Sequence, residues 1–62
     1  MDREECKKKI IDLMIQIHDV YKKYNPGGDY LSLAIMGDTL IANNMAYGDD
    51  ADHPLEIYYV IK

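Results

Sequence analysis

Asp49, Asp50, Asp52 and His53 form the densest group of potential ligands and proton carriers in this sequence. A calcium loop needs oxygens at alternate positions, a glycine in mid-loop and a distal bidentate acid. Asp50 and Asp52 alternate, but the other parts are missing. A transition-metal site built on His53 and one carboxylate lacks a second local ligand. One cysteine, Cys6, and two histidines, His18 and His53, give no clustered set for a structural zinc. No metal is therefore expected. The group does offer concentrated negative charge, and it is the candidate docking site for a basic protein partner.

Nucleophilic catalysis needs an activated Cys or Ser beside a base. No spacing brings His18 or His53 to Cys6 or Ser32. Cys6 falls on an apolar stripe and reads as a small buried hydrophobe. Gly27 and Gly28 follow a helix and precede a strand, whereas phosphate loops run from strand into helix so that amides at the helix start face the anion. A small two-layer domain also offers little depth for a substrate pocket. The chain is expected to be non-enzymatic and to need no cofactor.

Charge is unevenly spread along the 62 residues. Residues 1–25 hold five acids and six bases, a balance of +1. Residues 26–62 hold Asp29, Asp38, Asp49, Asp50, Asp52 and Glu56 against Lys62, a balance of −5. Direct nucleic-acid binding needs Lys and Arg to displace counterions, so an acidic half argues against it. The longest stretch without a charge, Thr39 to Gly48, is far too short to span a bilayer. The N-terminal residues show no apolar signal segment, and a lone free cysteine suits a reducing compartment, so a cytoplasmic location is expected.

These side chains must be carried by regular elements. Asp2 followed three residues later by Glu5 makes a capping-box-like start, and the spacing predicts a helix over 2–24. Cys6, Ile10, Leu13, Met14, Ile17, Val20, Tyr21 and Tyr24 fall on one stripe at about 100° per residue. Lys8, Asp12, Gln16, Asp19 and Lys23 fall opposite. Asn25, Pro26, Gly27 and Gly28 end the helix.

Residues 30–36 and 39–47 read as two strands joined at Gly37 and Asp38, which suit a two-residue turn. That turn pairs Met36 with Thr39, Ile35 with Leu40 and Leu33 with Ala42. One face then carries Leu31, Leu33, Ile35, Leu40, Ala42 and Asn44, and fits the core under the helix. A third strand covers 55–62, with Leu55, Ile57, Tyr59 and Ile61 as its stronger apolar face. The expected fold class is α+β: one N-terminal helix packed on a three-stranded antiparallel sheet, an α-β-β-β two-layer sandwich forming a single domain.

Two apolar surfaces are left over. Ile11 and Ile15 lie one turn apart on the helix flank. The second sheet face carries Tyr30, Met36, Ile41, Met45 and Tyr58. A 62-residue chain without a disulfide or metal has little stability to spare, so these seven residues are candidate oligomer contacts. Six tyrosines and four methionines, with no Phe or Trp, also suit contact surfaces. In an oligomer, Asn43, Asn44 and Tyr58 could hold a small nucleotide-type ligand between subunits.

In size, acidity and helix-plus-hairpin layout, the chain resembles the small proteins that phages encode against bacterial defences. Some of those block a defence protein by binding it, and others assemble to sequester a nucleotide immune signal. The resemblance implies a binding or inhibitory role, and it carries over no functional residue. The leading expectation is an inhibitor-type protein whose acidic strand half docks on a basic protein. A ligand-holding homo-oligomer comes second, and a structural subunit of a larger assembly third.

Overall fold

The structure, a computed structural model, describes residues 1–44 and 52–62. Helix α1 spans Arg3–Tyr24, and three strands follow: β1 Ser32–Met36, β2 Thr39–Asn43 and β3 Glu56–Val60. The sheet is antiparallel in the order β1-β2-β3, so β1 and β3 are its outer strands.

Local chemistry sets the helix ends. The Asp2 carboxylate accepts from the Glu5 N–H at 2.8 Å, satisfying one of the amides that the first turn leaves unpaired. Glu4 and Glu5 lie at the positive end of the helix dipole, and Lys22 and Lys23 at its negative end. The Asn25 N–H donates to the Tyr21 carbonyl at 2.8 Å and the Gly28 N–H to the Asn25 carbonyl at 2.9 Å, which turns the chain out of the helix.

The hairpin adopts the register that the alternation predicts: Met36 faces Thr39, Ile35 faces Leu40 and Leu33 faces Ala42. Gly37 has φ +62°, a conformation with little penalty only for glycine, at the first of the two turn positions. On the other side of β2, Leu40 faces Tyr59, Ile41 faces Tyr58 and Ala42 faces Ile57.

The ladders are shorter than the alternation suggests, because neighbouring groups capture the backbone at each end. The Tyr30 carbonyl, expected in β1, instead accepts from the Tyr21 hydroxyl at 2.9 Å. The Leu55 N–H, expected in β3, donates to the Asn44 side chain at 2.9 Å. The Ile61 N–H donates to the Asp38 carbonyl in the hairpin turn, also at 2.9 Å.

The fold is the expected α+β arrangement of one N-terminal helix and a three-stranded antiparallel sheet, and its two layers meet at one end rather than along their length. A 22-residue helix is about 33 Å long, while a five-residue strand covers about 17 Å. Only the C-terminal end of α1 closes on the sheet. Tyr21 and Ala42 are the buried apolar residues among those described, and the buried polar ones are Asn25 and Asn44. Ile10, Leu13, Met14 and Ile17 stay exposed, and Val20 is 68 % exposed although it lies on the stripe. Cys6 is half-buried rather than enclosed. The stripe therefore marks an apolar surface that the sheet of the same chain does not cover.

Candidate functional site

Asn44 closes the joint between the layers. It follows β2 on the sheet face turned toward α1 and is 0 % exposed. Its amide nitrogen donates to the Tyr21 hydroxyl at 3.1 Å and to the His53 carbonyl at 2.8 Å. Its side-chain oxygen accepts from the Leu55 N–H, and its own N–H points to the Leu55 carbonyl at 3.4 Å. Beside it, the Tyr24 hydroxyl donates to the Pro54 carbonyl at 3.2 Å, and the Tyr24 ring meets His53 edge-on at 6.1 Å. Lys22 reaches the Gly28 carbonyl with its ammonium group. The helix is thus fastened to the sheet at one end by polar bonds.

Away from this joint the layers separate and enclose an open cleft of about 790 Å3. Leu13, Gln16, Ile17, Val20, Tyr21 and Tyr24 line it from the helix. Leu31, Leu33, Ile35, Leu40, Ala42, Leu55 and Ile57 line it from the sheet side, joined by Ala34 and Ile41, which the alternation puts on the other face. No described residue before Leu13 reaches it, so the first half of α1 projects beyond. Gln16, expected on the polar side of the helix, is at the cleft wall. The wall is otherwise aliphatic and aromatic, a surface suited to apolar contact and offering no acid–base pair.

Of the acidic docking candidates, Asp52 and His53 are exposed, and His53 is held through its carbonyl and ring. Asp49 and Asp50 lie outside the described residues, as does Met45. The remaining acids of the sheet half, Asp29, Asp38 and Glu56, are exposed. Among the described residues the ion pairs all lie on α1: Lys7 with Glu4 at 3.8 Å, Lys9 with Glu5 at 3.9 Å, and the His18–Asp19 contact at 3.2 Å.

The expected oligomer contacts fall on three surfaces. Ile11 and Ile15 are exposed on the helix flank, and Met36 and Tyr58 on the far sheet face. Ile41 is half-buried in the central strand, and Tyr30 is half-buried beside the joint. Of the ligand candidates, Tyr58 is exposed opposite Ile41 and Asn43 is half-buried at the end of β2, which makes the two diagonal neighbours on one sheet face. Asn44 is corrected from ligand candidate to structural node, since its side chain is sealed and already bonded to three partners. Its inward position in the strand alternation was the signal: a polar side chain on a core face is normally there to satisfy buried backbone.

Comparison with protein families, with curated proteins and with solved structures finds no match to this chain. Among the described residues, no helix is long and apolar enough to cross a membrane.

Proposed function

We propose that the protein is a non-enzymatic binding protein whose acidic sheet half docks on a basic protein partner, acting as an inhibitor of the kind phages and mobile elements direct at host defences. One observation carries this reading. Among the described residues, Asp29, Asp38, Asp52 and Glu56 are all exposed, and none takes part in an ion pair. Their field is therefore available to a partner, where it speeds encounter and selects against acidic surfaces.

The test is capture of partners from a lysate on immobilised protein at low and high salt, beside the variant Asp49→Asn/Asp50→Asn/Asp52→Asn. A basic protein retained at low salt, released at high salt and lost with the triple variant is the expected result. Exposed charges contribute little to stability, so the variant should unfold at nearly the parental denaturant concentration. Equal capture by both proteins would remove this segment as the docking site.

A further inference from the structure

We infer that two copies of this chain associate through α1 in antiparallel fashion, each helix laying its first half along the mouth of the other copy's cleft.

The amount of exposed surface calls for a cover. A compact monomer of 7.2 kDa exposes about 4,100 Å2, whereas this chain exposes 5228 Å2, an excess of roughly 1,100 Å2. Its radius of gyration is 13.2 Å, against about 10.6 Å for a compact domain of its length. The excess exceeds the roughly 800 Å2 per partner of a standard stable interface. Much of it is apolar, on Ile10, Leu13, Met14, Ile17 and Val20.

The chemistry of the stripe identifies the occupant as a second copy. Cys6, Ile10, Leu13, Ile17, Val20 and Tyr24 recur at alternating intervals of four and three, the spacing of a helix seam that packs on another helix. The stripe also matches itself when reversed: with two α1 helices side by side head to tail, Leu13 lies against Ile17 of the second copy, Ile10 against its Val20 and Cys6 against its Tyr24. The cleft selects the direction: its helix wall begins at Leu13, so only a head-to-tail pair lays the projecting first half of one α1 beside the cleft of the other, and the two helix dipoles then oppose. Because Val20 and Tyr24 line the cleft, the second copy's Ile10 and Cys6 close its mouth.

Sedimentation equilibrium across low to high micromolar concentration tests association, and twice 7.2 kDa is the expected mass. Ile10→Asp lies on the projecting half of α1 and should give the 7.2 kDa species or an unfolded chain. A milder second variant keeps the test decisive if that one unfolds: Ile10 is 50 % exposed within its own chain, so Ile10→Ala should stay folded and raise the dimer dissociation constant about tenfold. Direction is read from Cys6. In the antiparallel pair the two Cys6 residues stand about 27 Å apart along the helix, so mild oxidation should not link them. Met14→Cys in a Cys6→Ser chain should link readily. A folded 7.2 kDa species at every concentration, a dimer indifferent to Ile10→Ala, or ready Cys6–Cys6 linkage would each overturn the proposal. So would a monomer that keeps a co-purified apolar small molecule in the cleft, detected by native mass spectrometry.

Discussion

The Tyr21 hydroxyl donates to the Tyr30 carbonyl at 2.9 Å while accepting from the Asn44 amide at 3.1 Å. One phenol thereby connects the last turn of α1, the segment entering β1 and the end of β2. Tyr21 is 6 % exposed, so these bonds form away from competing water. The joint is polar at its centre, and the apolar cleft begins beside it.

Tyr21→Phe keeps the ring and removes the hydroxyl. It leaves the Tyr30 carbonyl and one Asn44 donor without this partner, so a loss of about 1–3 kcal/mol is expected. Tyr24→Phe removes a longer, exposed bond to Pro54 and should cost about 0.5 kcal/mol or less. Urea unfolding of the two variants, measured at one protein concentration, checks the difference.

Asn44→Asp tests the donor side of the joint. Carboxylate oxygens would face the His53 carbonyl, now 2.8 Å from the amide nitrogen, and burial would raise the pKa of the new acid in the folded state. The penalty should be full above that raised folded-state value and shrink as pH falls through it, where the protonated acid can donate. The variant should therefore be less stable than the parent at neutral pH, and the gap should narrow on acidification. A pH-independent gap in urea midpoints would contradict this assignment.

Gly37→Ala isolates backbone conformation. A β-carbon at Gly37 would meet nothing within 4 Å, so no clash contributes, and the cost comes from φ +62° alone. About 1–2 kcal/mol is expected. A synthetic chain with D-alanine at this position should recover the loss or exceed parental stability. Thermal unfolding followed by circular dichroism measures both.

Asp2→Ala removes the carboxylate that accepts the Glu5 N–H. The expected cost is about 1 kcal/mol, with lower helicity. Asp2→Asn should keep most of the cap. Far-ultraviolet circular dichroism together with urea midpoints separates the two outcomes.

The order of elements and the hairpin register were legible in the sequence because each depends on near neighbours. Asp2 and Glu5 announce the start of α1, and Gly37-Asp38 leaves one turn length that keeps Leu33, Ile35, Leu40 and Ala42 on one face. The angle between helix and sheet was not legible. A stripe such as Ile10, Leu13 and Ile17 says that a face must be covered, and reads alike whether a sheet or another helix covers it. Strand ends were missed for a related reason: the Tyr21 hydroxyl and the Asn44 side chain, both distant in sequence, take the backbone groups that would have extended the ladders. Asp52 and His53 could be named from composition, whereas the role of Asn44 depended on knowing what lay opposite it.

Strand β1 has a further consequence for how this protein behaves at high concentration. As an outer strand it presents one rim of backbone N–H and C=O groups, and Ser32–Met36 contains no charge and no proline. Ile35 is 78 % exposed beside that rim. Natural sheets usually guard such edges with lysine, proline or a bulge, and here the nearest guards are Asp29 and Asp38, outside the strand at either end. Strands stacked in register along a fibre would bring those aspartates into repeated like-charge rows. Their mutual repulsion would oppose such stacking, and salt screens it. Concentrated stocks should therefore keep longer in dilute buffer than in high salt, and a single lysine in place of Ala34 would protect them in both.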